Sequence, residues 1–241
     1  METEGKDIYD LAHEMSELAL LEYGKPFGVQ RFLKRAPEHT QKLWHDAGIE
    51  PRAIDREVST AMHMTHMGCS SLAEALIRQS LRCGLSDGWG GSMMGTEFSD
   101  VLFGTPKPVD TTANIGVMEK DNVNIVVHGH DPSLSEMVVY YANDPEMIAY
   151  AKSMGAKGIT VSGVCCTSNE VAMRHGIPMA GNFLNQENVV LTGACEAIVV
   201  DVQCIFPALG PLSKCFHTKF ITTSPIARMP DSEFILFNPV T

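Results

Sequence analysis

The chain has 241 residues, 44% hydrophobic and 20% charged, a composition typical of globular proteins and unlike that of disordered or collagen-like chains. Its net charge is −11, and no basic stripe is present, which disfavours nucleic-acid binding. No stretch approaches the roughly 20 uninterrupted apolar residues that a membrane helix needs, and the first residues do not resemble a signal peptide. These features predict a cytoplasmic protein without a membrane span.

The first half of the sequence has the spacing of amphipathic helices, as in Ile8, Leu11 and Met15. Predicted helices, one of them interrupted at Pro37, cover 6–23, 29–47, 51–68 and 70–83. The glycine-rich stretch 84–95 predicts a loop, and it matches neither of the common nucleotide-binding motifs. A further loop is predicted at the two prolines of 105–108.

In the second half, short apolar runs alternate with helical runs. Predicted strands cover 123–127, 158–161, 196–201, 219–222 and 234–237, and predicted helices cover 133–143, 145–154, 169–175, 186–192 and 207–214. Repeated strand–helix units with mostly apolar strands are typical of a parallel sheet covered on both faces. We therefore expect the α/β class, with a helical domain over 1–118 and a doubly wound, mostly parallel, Rossmann-like sheet domain over 119–241.

Imidazole and thiol side chains follow three of the predicted strands. His128 and His130 come after the first strand, Cys165 and Cys166 after the second, and Cys204 after the third. Sites in doubly wound sheets form outside the carboxyl ends of the strands. These donors suit zinc, copper, nickel or an iron–sulfur centre rather than magnesium or calcium. The alternative is that each cysteine is packed as a small apolar residue and each histidine is a hydrogen-bonding residue.

Three motifs carry a resemblance to a known family: VVHGHDP at 126–132, GVCCTSNEVAMRHGIP at 163–178 and DVQCIFP at 201–207. In this order and spacing they resemble the central segment of the catalytic subunit of the nickel-containing, anaerobic carbon monoxide dehydrogenases. The helical half, including HMTHMGCSS and the stretch 81–109, is similar to the segment that precedes the first α/β domain in that family.

The resemblance implies that His130 and Cys166 bind the unique iron of a nickel–iron–sulfur cluster and that Cys204 binds an iron of its cuboidal part. His128 and Cys165 would then lie behind these ligands and orient them. The family oxidises carbon monoxide with water to carbon dioxide, two protons and two electrons, which pass to an acceptor such as ferredoxin. The implied class is oxidoreductase.

Other parts of the family pattern have no counterpart in this sequence. They are the later cysteines that complete the cluster, the lysine and the histidine that assist catalysis, and the amino-terminal cysteine motifs of the [4Fe–4S] clusters. The family's homodimer therefore cannot be inferred, and no catalytic residue and no organic-cofactor site is located. We expect an incomplete cluster site and an inactive chain in isolation.

Two alternatives to a dehydrogenase segment stay open. The chain is then a non-catalytic shortened homologue or metal-free folding module, or it is a relative of the hybrid-cluster, hydroxylamine reductase-like proteins. The HGH sequence at 128–130 favours the dehydrogenase.

Overall fold

A computed structural model describes residues 5–238 of the chain. The described residues form two compact units, of which the first ends at Gly104 and the second begins at Thr105. This division lies earlier in the chain than the boundary after residue 118 that the sequence suggested. The reason is that Thr112 and Asn114 hydrogen-bond to the backbone of Met179, so this connecting segment is part of the second unit.

The first unit is built from helices. α1 is capped by the Asp7 carboxylate, which accepts from the N–H of Tyr9, and α2 ends at Gly48 in the left-handed conformation. The helices are α1 (Ile8–Tyr23), α2 (Glu38–Ala47), α3 (Ile54–Thr65), α4 (Ala73–Ser86) and α5 (Met93–Phe103). All four predicted helical segments are thus present, with the stretch before Pro37 reduced to a 3-10 turn.

The glycine-rich stretch 84–95 is not a loop, and that prediction was wrong. α4 continues through a π-helical turn at Asp87–Ser92 directly into α5. A side-chain carbon on Gly90 would come within 2.7 Å of the Gln30 amide. Gly90 therefore allows close packing inside a helical segment, whereas the glycine-rich composition of the stretch 84–95 had suggested a loop.

The second unit is a doubly wound α/β fold, which confirms the predicted class. Its six strands lie in the order β3-β2-β1-β4-β5-β6, and every neighbouring pair is parallel. The strands are β1 (Val123–Gly129), β2 (Ile159–Val164), β3 (Met179–Gly181), β4 (Ala197–Val200), β5 (Lys219–Thr222) and β6 (Glu233–Phe234). β3 was not predicted, because it has only three residues and ends in a glycine.

Helices cover both faces of this sheet. Val126 of β1 lies in a core with Val189 and Leu209, and the next residue, Val127, lies in a second core with Val139 and Val171. The helices are α6 (Pro132–Ala142), α7 (Pro145–Ser153), α8 (Cys165–His175), α9 (Gln186–Leu191) and α10 (Leu209–Ser213). Adjacent strand residues thus point into different cores, as expected for a sheet buried on both sides.

No helix within residues 5–238 combines the length and the apolar character needed to cross a membrane.

Candidate metal centre

The three strands that carry the predicted ligands are neighbours in the sheet. β1 lies between β2 and β4, and His128 of β1 is in register with Val164 of β2 and Val200 of β4. Because the strands are parallel and in register, all three strands end at the same edge of the sheet and at the same level. The sheet order therefore brings together segments that are far apart in the sequence.

The structure places the three predicted ligands at this edge with exposed side chains. His130 follows β1, Cys166 lies in the first turn of α8, and Cys204 lies in the loop after β4. The Sγ atoms of Cys165 and Cys166 are 3.9 Å apart, and Cys204 lies close enough that its thiolate form would raise the pKa of Cys165. All of these cysteines are free thiols.

These groups do not form a compact mononuclear site. Over the described ranges, no three His, Cys, Asp or Glu side chains are gathered so that they could hold one metal ion. A single ion needs all its donors at about 2.0–2.3 Å. A polynuclear cluster bridges a wider gap with its own sulfides, so it accepts donors on separate loops.

The backbone is held in the left-handed region at two of the strand exits. Cys165, Gln203 and Cys204 have φ of +73°, +66° and +56°, although none of them is glycine. The left-handed conformation costs about 1–2 kcal/mol for each such residue, and it persists only where the surrounding structure imposes it. Strain of this kind collects at functional sites, and two of these three residues, Gln203 and Cys204, lie in the loop after β4.

His128 lies behind the ligands and is completely buried. Its Nε2 is 3.0 Å from Oε1 of Gln186, which also accepts the N–H of Phe206. The amide nitrogen of Gln186 donates to the carbonyls of Cys204 and Phe183, so the amide orientation is fixed. His128 therefore carries a proton on Nε2, while its Nδ1 lies 3.4 Å from the carbonyl of Val164. Burial lowers its pKa, although these hydrogen bonds oppose the effect, so the ring is neutral at pH 7.

Cys165, the other residue expected behind the ligands, is buried at the start of α8. Burial raises the pKa of its thiol to about 12, and the nearby charges of Cys166 and Cys204 contribute to the rise. The thiol therefore stays protonated at neutral pH, in keeping with a structural role.

Asp201 is a residue of this edge that sequence reasoning missed as a functional group. It directly follows β4, is 3% exposed, and accepts the backbone N–H of His130 at 2.5 Å. Burial raises the pKa of its carboxyl to about 6, although hydrogen bonds from the N–H groups of His130, Val202 and Asp131 oppose the rise. A carboxylate at the end of an apolar strand is a feature by which the sequence could have indicated Asp201 as a site residue. Nothing in the sequence indicates the role of Gln186 behind the site.

The chemistry of this edge is that of soft metal binding. Thiolate and imidazole are the donors that nickel, iron–sulfur and zinc centres take, and two buried residues, His128 and Cys165, support the loops from behind. The donor set fits a part of a polynuclear cluster.

Comparison with known proteins gives consistent results. The model of the Prismane/CO dehydrogenase family matches residues 1–241. Carbon monoxide dehydrogenase 1 of Methanosarcina mazei is 55% identical over 227 residues, which are 94% of this chain and 36% of that protein. The beta subunit of carbon monoxide dehydrogenase/acetyl-CoA synthase of Moorella thermoacetica is 39% identical over 244 residues, 100% of this chain and 36% of that one.

Solved structures show the same similarity. Nickel-free carbon monoxide dehydrogenase of Thermococcus sp. AM4 matches with a TM-score of 0.93 and 51% identity over 99% of this chain and 38% of its own. An acetyl-CoA synthase/carbon monoxide dehydrogenase with NiZn[Fe4S4] and NiNi[Fe4S4] clusters in its alpha subunits matches with a TM-score of 0.92 and 40% identity, covering 99% of this chain and 35% of its own. The chain thus spans a little over a third of the length of these relatives.

Proposed function

Because this chain belongs to the Prismane/CO dehydrogenase family, we propose that its second unit forms part of the nickel–iron–sulfur site of a carbon monoxide dehydrogenase. The proposed ligands are His130, Cys166 and Cys204. The observation that carries the proposal is the register of β2, β1 and β4, which delivers all three residues to one edge of the sheet. The reaction is the oxidation of carbon monoxide with water to carbon dioxide, two protons and two electrons.

When bound, the cluster would supply a Lewis acid that activates water and the capacity to accept two electrons. The contribution of this chain is positional. Cys166 and Cys204 present thiols, and His130 presents an imidazole, from loops that leave neighbouring strands. His128 and Cys165 stay uncharged behind them, so they orient the loops without adding a competing charge.

The complete activity requires more groups than the three proposed ligands. The chain spans about 36% of the length of its Methanosarcina mazei relative, and the other metal ligands and the acid–base residues are expected in the remaining length. An external acceptor such as ferredoxin would take the electrons. We therefore expect this chain alone to show no reduction of viologen dyes under carbon monoxide.

A second candidate function is a metal-free folding or regulatory module. The observation that favours it is that no group of three potential ligands in the described part of the chain could hold a single ion. The hybrid-cluster alternative is less favoured, since the curated relatives carry the name carbon monoxide dehydrogenase.

Anaerobic reconstitution with iron, sulfide and nickel separates the two candidates. The variants are Cys166→Ala and Cys204→Ala, and the matched control is Cys215→Ala, which removes an exposed thiol that lies after α10 and away from the strand exits. Bound iron, nickel and sulfide are counted after desalting, and the cluster is followed by its charge-transfer absorption.

A cluster site at the strand exits predicts stoichiometric uptake that both site variants reduce and that the control leaves unchanged. Uptake that is equal in all three variants, or absent from the wild-type chain, would favour the metal-free module.

A further inference from the structure

We propose that Asp201 is a positioning residue that holds the loops carrying His130 and Cys204, and thereby sets where these two side chains stand. The proposal rests on the metal role suggested above for both residues. Asp201 lies at the point where β4 ends, next to the exit of β1.

The carboxylate of Asp201 connects the two loops by hydrogen bonds. Its Oδ1 accepts the N–H of His130 at 2.5 Å and the N–H of Val202. One acceptor atom thus holds the His130 peptide after β1 and the first peptide after β4. Charge-assisted hydrogen bonds of this kind are about twice as strong as neutral ones.

The turn after β1 is shaped around this carboxylate. Gly129 has a φ of +136°, which side-chain-bearing residues rarely adopt. A side-chain carbon at this position would overlap Oδ1 of Asp201 well inside van der Waals contact. The close approach of the Gly129 backbone is therefore what lets the carboxylate reach the N–H of His130.

Burying the Asp201 carboxylate in this way lowers the stability of the fold. Asp201 is 3% exposed, and its second oxygen, Oδ2, has no hydrogen-bond partner among the described residues. Burying half of a carboxylate without a partner costs free energy that an apolar residue would not. The proposed ligand Cys204 and the residue before it, Gln203, also have strained backbones with positive φ. A cost that is not recovered in packing indicates that precise placement of the loops is what Asp201 provides.

Amide hydrogen exchange of the metal-free chain tests the hydrogen bonds directly. In the wild type, the amides of His130 and Val202 should exchange slowly although they lie in loops. Asp201→Ala should speed their exchange by at least about 10-fold, because the acceptor is gone. Asp201→Asn keeps the accepting oxygen and replaces only the unpartnered one, so it should retain most of the protection. Asp121→Asn, at an exposed aspartate paired with Lys157, controls for the lost charge.

Wild-type amides that exchange at the rate of an open turn would overturn the proposal, and this result needs no variant to fold. Equal loss of protection in Asp201→Asn and Asp201→Ala would also overturn it, as would unchanged protection in Asp201→Ala.

Iron uptake by the same variants tests the consequence for the ligands. Groups that orient metal ligands change metal affinity by about 10–100-fold when removed, so Asp201→Ala should weaken uptake by that factor and Asp201→Asn should restore most of it. Equal affinity in the wild type and in Asp201→Ala would contradict positioning. A wild-type chain that takes up no iron would refute the proposed function instead, while the exchange result would still decide whether Asp201 holds the loops.

Discussion

Replacing Gln186 by leucine should destabilise the second unit strongly, although the two side chains are similar in size. Gln186 is completely buried, and its amide bonds His128 at 3.0 Å, the Cys204 carbonyl at 2.9 Å, the Phe183 carbonyl at 2.6 Å and the Phe206 N–H at 2.8 Å. The substitution leaves these partners in place and removes what satisfies them.

The expected size follows from the one partner that is fully buried. His128 has no exposed surface, whereas Cys204 is an exposed residue, so only the histidine is counted as an orphaned buried group. An orphaned buried polar group costs about 1–3 kcal/mol, so the lost bond to His128 gives a loss of about 2 kcal/mol. Released strain at Cys204 would add mobility to the loop after β4.

Urea unfolding of the metal-free chain measures the loss. Asn188→Leu is the matched control, because it makes the same kind of change at an exposed position of the same helix. The only tryptophans, Trp44 and Trp89, lie in the first unit and report on its unfolding. Hydrogen exchange of the β1 and β4 amides reports on the second unit.

We expect Gln186→Leu to lower the stability of the second unit by about 2 kcal/mol and to leave the tryptophan transition in place. If Gln186→Leu and Asn188→Leu differ by less than about 0.5 kcal/mol, the range of ordinary surface substitutions, the stabilising role of the Gln186 amide is refuted.

Three further predictions concern single residues. Burial would raise the pKa of Glu57, but its hydrogen bonds, above all the one from the Arg52 side chain, outweigh burial and hold this pKa at about 2. The ionised carboxylate should therefore stabilise the fold by about 3 kcal/mol above about pH 5, and this stabilisation should disappear as the pH falls towards 2. Urea titrations at several pH values should show this loss in the wild type and not in Glu57→Gln. Gly129→Ala should cost at least about 2 kcal/mol more than Gly155→Ala, which also has a positive φ but open space, and equal unfolding midpoints would contradict the close approach at Gly129. Nitrogen-15 NMR at pH 7 should show His128 neutral and protonated on Nε2, and the absence of an Nε2–H signal would contradict the network with Gln186.

Much of the fold could be predicted because its signals are local. Short apolar runs separated by helical periodicity indicated the parallel sheet, and the range of β5 was predicted residue for residue. β2 extends to Val164, beyond the predicted end at 161, because the sequence S-G-V at its end reads as a turn. The π-helical segment at Asp87–Ser92 could not be recognised, since Gly90 serves packing against Gln30, which is far away in the chain.

The candidate site divides in the same way. His130, Cys166 and Cys204 could be singled out because imidazole and thiol are rare chemistry at strand exits. Gln186 could not, because its role depends on His128, 58 residues earlier in the sequence, and on backbone groups of the Cys204 loop. Residues that position ligands act through backbone contacts, and these become visible only once the sheet order is known.

The central claim is that the carboxyl ends of β1, β2 and β4 form a metal site. The most direct measurement is anomalous diffraction at the iron edge from crystals of the anaerobically reconstituted chain. We expect iron beside the Sγ atoms of Cys166 and Cys204 and the imidazole of His130. Iron bound at other cysteines, such as Cys69 or Cys215, with none at these strand exits, would contradict the account.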